Sequence, residues 1–492
     1  MIKTVIILFL IIPVLVFSQD PREFNHGTCI VEYESNDNIK YYLTWSSAFS
    51  NSWEHDIYNS TIYFDENGDL ITETQDQVYI GTGNDEAQEP INAIINTLNN
   101  HILSVWEDGI DTDGPNVRGQ LHNPDGTIIK SNWIIAGGAG SQHSANTAHL
   151  NNKYLIFYAD EAPPSTGGAV LKAKVIDDVN GNETQTISFT PNNEDHWWPV
   201  SVSNSEKTRT LIIFGNDGYA ARGTVLYENA GTIQQTSSLQ DYLTNTQQYF
   251  YQVEWLENIS KFLLIARNGA NNDITDESQV CLIDVSGNIT NSTIVKGGIL
   301  REAKMAVKWS DCNQSYSVFY PSGVNNLTQI SIDKNGNIFD TSIQITGHAD
   351  LTNIKWPFTG IWSKFISDIN GNDTFNNHHI VLFVMNDTQS NNSIKIPVHL
   401  NTSLFCNSLS VNEIIEEELI IYPNPSSDKI NLPTEFLDSD YEIYSIHGKR
   451  VLKGILKENN LTISILNEGI YLIKIIKQGT RKVYFFKIVK EN

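Results

Sequence analysis

The chain has 492 residues, 57 Asp and Glu against 32 Lys and Arg, and a formal net charge of −25. This balance argues against nucleic acid as a partner, because phosphate binding depends on a basic surface that releases counterions. Asn, Asp, Gly, Thr and Tyr are frequent, and there are only three Met residues. Such a composition favours an all-β fold in which strands are joined by tight turns.

The N-terminal segment MIKTVIILFLIIPVLVFSQD carries a basic Lys3, an apolar run over residues 5–17 and polar residues at Ser18 and Gln19. This order predicts a cleaved signal peptide over residues 1–19. A membrane span needs about 20 apolar residues, and neither this run nor any later segment reaches that length. We therefore expect a secreted protein without a transmembrane segment.

The chain has four cysteines, which are Cys29, Cys281, Cys312 and Cys406. They lie too far apart for a CxxC zinc or redox motif, whereas export permits disulfides. Because Cys29 and Cys406 lie near the two ends of one predicted domain, a bridge between them would staple that domain closed. The alternative is that the thiols are free and buried.

One strand pattern recurs seven times along the chain, roughly 50 to 65 residues apart. In each copy an apolar, aromatic strand is followed by a polar Gly/Asp/Asn loop, as in IKYYLTWSS and HIVLFVMND. The copies begin at Ile39, His101, Asn152, Thr208, Lys261, Tyr316 and His379. Most are followed by a second strand with an Asp/Asn-Gly hairpin signal, such as DENGD or DKNGN, and preceded by an alternating apolar strand.

Four-stranded units of this period, arranged around an axis, form a β-propeller, because one blade alone cannot bury both of its faces. Seven copies predict a seven-bladed propeller over residues 20–405. A six- or eight-bladed ring and an irregular β-sandwich array are the alternatives. The chain has no WD40, kelch or Asp-box signature, so this prediction rests on period and pattern.

Residues 406–418 combine polar side chains with an acidic run and no strand alternation, which predicts a linker. From residue 419 the chain has alternating strands broken by Pro and Gly, which predict a small β-sandwich over residues 419–492. Here the order YPNP, a strand ending in HGK, GIYLIKI and a closing Lys-rich strand resembles the type A C-terminal sorting domain of type IX secretion in Bacteroidetes. The matching positions are Tyr422, Pro423, Asn424, Pro425, Gly448, Gly469, Tyr471 and Lys487.

The resemblance implies a partner and a location. In that family the domain directs passage across the outer membrane through the type IX secretion machinery. Many cargoes then become attached to the cell surface, and others are released. We therefore expect a secreted or outer-surface-attached cargo protein.

In a propeller, the loops that lead into the innermost strands and those between second and third strands meet on one axial face, where a ligand would bind. The weak catalytic candidates among these loops are His143, His149, His196, Tyr219, Arg222, Tyr249 and Arg301. Ligand-binding candidates are Trp53, Trp197 and Tyr249. The mixture of imidazoles, aromatic rings and cations suits an extracellular polysaccharide, although such loop residues also commonly brace turns.

A structural calcium ion is a further candidate cofactor, because DINGND carries carboxylate and amide oxygens at Asp368, Asn370, Asn372 and Asp373. The hairpin turn alone also explains that pattern. The chain has no GxSxG, HExxH or P-loop motif.

These sequence features are compatible with three alternative functions. The favoured one is a noncatalytic protein that binds a glycan or another surface ligand. The second is a polysaccharide-degrading enzyme, namely a uronate lyase with His or Tyr as base and Arg at the carboxylate. Its residue types resemble those of propeller lyases, but no assignment carries over residue by residue. The third is a noncatalytic protein-interaction scaffold.

Overall fold

The computed structural model describes residues 28–35, 38–48, 55–80, 88–109, 114–161, 168–189, 195–216, 218–269, 275–322, 326–346, 361–386, 393–402, 405, 422–445, 449–476 and 483–491. By its internal contacts the chain divides into two compact units, Met1–Cys406 and Asn407–Asn492. The predicted signal peptide, the predicted linker, Trp53 and Gly448 lie outside the described residues.

In the first unit the described strands form seven consecutive antiparallel sheets, numbered here as blades 1 to 7. Blade 1 contains β1 (Thr28–Ser35), β2 (Asn38–Ala48), β3 (His55–Phe64) and β4 (Leu70–Ile80), and blade 2 contains β5 (Gln88–Asn96), β6 (His101–Asp108), β7 (Asn116–His122) and β8 (Ile128–Ala136). Blade 3 contains β9 (Ser141–Leu150), β10 (Lys153–Glu161), β11 (Ala169–Asp177) and β12 (Glu183–Ser188). Each strand pairs with the next along the chain.

Blade 4 contains β13 (His196–Ser203), β14 (Thr210–Asn216), β15 (Ala220–Asn229), β16 (Thr232–Gln235) and β17 (Gln240–Thr244), of which β17 also pairs with β15. Blade 5 contains β18 (Thr246–Leu256), β19 (Lys261–Asn268), β20 (Glu277–Ile283) and β21 (Ile289–Lys296), with a 3-10 turn at Glu257–Ile259. Blade 6 contains β22 (Ala306–Ser310), β23 (Ser315–Pro321), β24 (Asn326–Asp333) and β25 (Ile338–Thr346), and blade 7 contains β26 (Trp362–Phe365), β27 (His378–Asn386) and β28 (Ser393–Asn401). The predicted seven-bladed propeller is confirmed.

Aromatic side chains fill the spaces between blades, as the repeated pattern predicts. The second strand of every blade carries a large aromatic residue that is fully buried, namely Trp45, Trp106, Phe157, Phe214, Phe262, Phe319 and Phe383. Each such ring removes apolar surface from water against the neighbouring blade, which is the main force that favours the closed ring.

In blades 1, 5 and 6 the hairpin between the third and fourth strands has an Asp-centred turn. In blade 6 one carboxylate oxygen of Asp333 accepts the backbone N–H groups of Asn335 (2.9 Å) and Asn337 (2.8 Å). Gly336 within this turn has a φ of 80°, which favours glycine. Asp65 and Asp284 accept the same pair of backbone bonds in blades 1 and 5.

Blade 7 closes the ring against blade 1 through the loop that joins β26 to β27. The backbone N–H of Ile39 donates to the carbonyl oxygen of Ile369, and the N–H of Ile369 donates to that of Phe64, each at 2.9 Å. The N–H of Ser367 donates to the Tyr41 hydroxyl at 2.7 Å. Side chains of both blades share one apolar cluster, so first and last blades pack as other neighbours do.

The expected bridge between Cys29 and Cys406 does not form, because Cys29 is a free thiol. Its Sγ lies 3.3 Å from the carbonyl oxygen of Ala93, between blades 1 and 2, and burial raises its pKa to about 12. Cys281 is also free and buried, whereas Cys312 is disulfide-bonded. Cys312 lies in the turn between β22 and β23, with its Sγ 3.5 Å from the carbonyl oxygen of Phe405.

The second unit has two sheets around one apolar core. Strands β29 (Lys429–Asn431) and β32 (Asn460–Thr462) pair, while β30 (Asp440–Ser445), β31 (Arg450–Ile455), β33 (Gly469–Ile476) and β34 (Val483–Lys490) form a four-stranded sheet in the order β31-β30-β33-β34; a 3-10 turn spans Thr434–Phe436. Ile430, Phe436, Ile443, Ile473 and Ile488 are fully buried between the sheets. The predicted small β-sandwich is confirmed.

Within the described ranges, we find no helix that is long and apolar enough to span a membrane.

Candidate functional site

The innermost strands of the seven blades run in the same direction, so their first residues share one axial face, here called the mouth. Near the mouth, non-glycine residues adopt left-handed backbone conformations at comparable places in four consecutive blades. These residues are Ser144 (φ 59°), Trp198 (54°), Tyr249 (68°) and Glu302 (55°). Large side chains avoid this conformation, and such residues cluster at functional sites.

In three of these blades the left-handed residue lies in a β-bulge. The pairing of β9 with β10 shifts between Phe157 and Ala159, and comparable shifts follow Trp197 in β13 and Thr246 in β18. A bulge bends the strand and redirects the neighbouring side chains, and bulges are frequent beside binding sites.

Side chains at or next to the left-handed residues contact one another pairwise from blade 3 to blade 6, and together they form a row. The His143 ring lies 5.4 Å from the Trp197 ring, and the Trp198 ring lies 5.1 Å from that of Tyr249. The Arg301 guanidinium stacks over Tyr249 at 4.7 Å. We call this set with its adjacent carboxylate the mouth cluster, which comprises His143, Glu161, Trp197, Trp198, Tyr249 and Arg301.

The His143 imidazole is held by two polar neighbours. Its Nε2 lies 3.2 Å from Oε1 of Glu161, and its Nδ1 lies 2.8 Å from the Ser144 hydroxyl. Burial lowers the pKa of His143, although the Glu161 carboxylate opposes this effect. A neutral ring therefore donates from Nε2 to Glu161 and accepts at Nδ1 from Ser144.

The opposite end of the row carries a matched pair of charges. Arg301 Nε donates to the Glu302 carboxylate at 2.9 Å, and the Glu302 backbone N–H donates to the Tyr249 carbonyl oxygen at 3.0 Å. Burial raises the pKa of the Tyr249 hydroxyl, and Arg301 only partly opposes this effect. Tyr249 is therefore a protonated donor near neutral pH.

A buried tyrosine braces the bulge of blade 4. The Tyr251 hydroxyl accepts the Gly215 N–H at 2.7 Å and donates to the Trp198 carbonyl oxygen at 2.7 Å. Tyr251 lies in β18 of the next blade and is almost fully buried. Its hydroxyl therefore fixes the backbone from which Trp198 projects.

The other four catalytic candidates lie outside the mouth cluster. His149 lies near the end of β9, six residues beyond His143, where its Nε2 lies 3.0 Å from the buried Asp178 carboxylate. His196 is fully buried with its ring 5.1 Å from that of Phe214.

Tyr219 links blade 4 to blade 5, and Arg222 supports strand pairing within blade 4. The Tyr219 carbonyl oxygen accepts the Thr246 N–H at 2.9 Å. Arg222 Nε donates to Asp241 at 2.6 Å, which ties β15 to β17.

The calcium candidates form an Asp-centred turn. Asp368 accepts the N–H groups of Asn370 and Asn372 (2.8 Å each) and the Asn372 side-chain amide (2.8 Å), while Asp373 pairs with Lys308. The turn accounts for the pattern of these residues, and the calcium site stays a prediction. In the parts of the chain that the structure describes, no group of three His, Cys, Asp or Glu residues is placed to hold a metal ion.

Sequence reasoning missed Trp198 as a site residue, together with Glu161, Ser144 and Glu302. The available signal was positional: aligning the seven repeats on their innermost strands places residues 144, 198, 249 and 302 at comparable positions. Glu161 could not be found this way, because it lies at the end of a second strand and reaches His143 only through cross-strand pairing.

In the C-terminal unit, the YPNP segment is fastened to the last strand. The Asn424 side chain donates from Nδ2 to the Lys487 carbonyl oxygen and accepts the Val489 N–H at Oδ1, each at 2.8 Å. The Ser426 N–H also donates to the Val489 carbonyl oxygen. The motif therefore covers the outer edge of β34, and Tyr471 binds Asn467 through its hydroxyl.

Residues 420–491 match the family model described as the secretion system C-terminal sorting domain. This match confirms the resemblance of the C-terminal unit to the type IX sorting domain. The protein is therefore a type IX cargo that is exported to the cell surface or the extracellular space.

Solved structures similar to the chain include three proteins of low identity. They are a periplasmic gluconolactonase of Pseudomonas aeruginosa (11% identity, covering 65% of this chain and 86% of that one, TM-score 0.42), Trypanosoma rangeli sialidase with the inhibitor DANA (8%, 94% and 88%, 0.38) and a fucose-specific lectin of Aleuria aurantia (10%, 64% and 96%, 0.37). Comparison with curated proteins found no significant match.

Proposed function

We propose that this exported propeller is a noncatalytic glycan-binding protein and that the mouth cluster is its binding site. The observation that carries the proposal is that half-buried aromatic rings contact one another from blade to blade, His143 with Trp197 and Trp198 with Tyr249. Aromatic faces pack against the apolar faces of sugar rings, while nearby carboxylate and hydroxyl groups bond to sugar hydroxyls. Extracellular polysaccharide is the corresponding partner.

Uronate elimination is less well supported by the same geometry. A lyase needs a cation at the sugar carboxylate, but Arg301 already has the Glu302 carboxylate as its partner at 2.9 Å. A Tyr base requires a lowered pKa, whereas burial raises that of Tyr249. We therefore propose binding without bond cleavage.

We also propose which part of the chain carries out each function. Residues 1–19 are the signal peptide, 20–405 the binding propeller, 406–418 a linker and 419–492 the sorting domain. The acidic charge supports this division, because residues 420–491 contain 11 Lys and Arg against 8 Asp and Glu, so the excess acidity lies elsewhere in the chain.

Binding is tested by Trp197→Ala, measured by glycan array and calorimetry on the full chain. We expect an affinity loss of at least about tenfold, as for aromatic anchors in other interfaces. Trp309→Ala is the matched control, because Trp309 is also half-buried on an innermost strand but lies near its far end.

Equal losses in the two variants would contradict the proposed site. Release of products that absorb in the ultraviolet from a uronate polymer would instead favour the lyase.

A further inference from the structure

Resting on the proposed function, we infer that the mouth cluster binds an uncharged glycan chain laid across blades 3 to 6, in preference to a single sugar or an acidic polymer. The inference concerns the length and the charge of the ligand. Each follows from a separate feature of the cluster.

The length of the ligand follows from the repetition of one backbone feature in successive blades. Four consecutive blades contribute a left-handed residue at comparable positions, and each contributes a side chain to the row: His143, Trp197 with Trp198, Tyr249, and Arg301. Neighbouring groups lie 4.7 to 5.4 Å apart, which leaves no break between blades. A repeated platform of this kind matches a repeated ligand, since each blade can contact a successive sugar.

The charge of the ligand follows from the hydrogen-bond and ion-pair partners that Arg301 and His143 already have. Arg301 is matched by Glu302, and His143, whose ring is neutral, is hydrogen-bonded to Glu161. An acidic sugar would bring an unmatched carboxylate next to these two carboxylates and into a protein of net charge −25. Such like-charge contacts disfavour binding, whereas uncharged sugars meet no such cost.

The polar groups of the row suit hydroxyl ligands. The Glu161 side chain is 35% exposed, so one oxygen can accept from a sugar hydroxyl while the other binds His143. The Tyr249 hydroxyl supplies a donor. Acceptor and donor thus lie on different blades, and a ligand that uses both must extend between them.

The test is calorimetry on the full chain with cello-, laminari- and manno-oligosaccharides of one to six units, and with oligogalacturonate as the acidic probe. We expect affinity for at least one neutral series to rise at least tenfold between one and four units and then level off. We expect oligogalacturonate of equal length to bind at least tenfold more weakly.

Binding by variants at the two ends of the row distinguishes an extended binding site from a compact one. His143→Ala and Arg301→Ala should each weaken binding of the longest neutral ligand by a larger factor than binding of the disaccharide, whereas Tyr249→Ala should weaken both by similar factors. Circular dichroism and unfolding curves confirm that each variant is folded.

The outcomes distinguish this inference from the function on which it rests. Equal affinity for one and six units, or tighter binding of oligogalacturonate, would overturn the inference while leaving glycan binding intact. Failure of the native chain to bind any neutral or acidic glycan, on the array as well, would overturn both.

Discussion

Two large aromatic residues adopt a strained backbone conformation where the propeller meets its proposed ligand. Trp198 and Tyr249 have positive φ angles, a conformation that costs on the order of 1–3 kcal/mol for such residues. Surrounding contacts hold them there: the Tyr251 hydroxyl, for example, lies 3.1 Å from the Trp197 carbonyl oxygen and 2.7 Å from that of Trp198. Because rigid aromatic rings lose little conformational entropy on binding, the strained backbone holds the site in a preorganised state.

Replacing Tyr251 with Phe should damage both stability and binding. The change leaves the Gly215 N–H and the Trp198 carbonyl without this buried partner, which costs about 1–3 kcal/mol of unfolding free energy, and it frees the Trp198 bulge to move. Denaturant unfolding measures the first effect and glycan calorimetry the second.

Tyr154→Phe is the matched control, because its buried hydroxyl donates to the His101 carbonyl oxygen at 2.8 Å, away from the mouth. It should destabilise the protein to a similar extent without weakening glycan binding. Weaker glycan binding in both variants would show that destabilisation of the propeller alone reduces affinity, and would contradict a specific role of Tyr251 at the Trp198 bulge.

At the scale of elements, the same Asp-centred turn serves two purposes. At Asp333 it closes an ordinary outer hairpin, whereas at Asp368 it shapes the loop whose Ile369 backbone joins blade 7 to blade 1. The sequence DINGN resembles the sequences of the outer hairpin turns. Its different role comes from its place between β26 and β27.

Asp368→Ala should therefore destabilise the ring more than Asp333→Ala does. Loss of a side-chain acceptor for two turn N–H groups costs about 1–2 kcal/mol by analogy with helix caps, and only at Asp368 does the turn also hold the ring seam. Thermal unfolding of the two variants tests this comparison, and added calcium should change neither result. A larger loss at Asp333, or rescue of Asp368→Ala by calcium, would contradict it.

On the scale of the whole molecule, the chain divides into two compact units, to which we have assigned separate proposed tasks. Deleting residues 419–492 should leave a folded propeller that keeps its glycan affinity, because the mouth cluster and its bracing residues all lie within Met1–Cys406. The same deletion should retain the protein in the periplasm, which cell fractionation measures. Normal surface delivery of the truncated protein would contradict the sorting role, and loss of glycan binding would contradict the independence of the units.

The sequence by itself determined the all-β class, the seven repeats and the sorting domain. These features are encoded locally: strand alternation, turn residues and the order YPNP to GIYLIKI are each read within a short segment. For the same reason it identified His143, Trp197, Tyr249 and Arg301 as residues near one axial face, although it assigned them to loops and the first three lie within strands.

Only the tertiary structure decided which of those residues meet. His143 and His149 lie in one strand, yet one contacts Trp197 at the mouth and the other binds Asp178 at the far end of that strand. Cys29, which the chain order placed beside Cys406, is instead a free thiol packed against blade 2. Bulge position and ring closure depend on pairing between distant strands, and no local pattern carries that information.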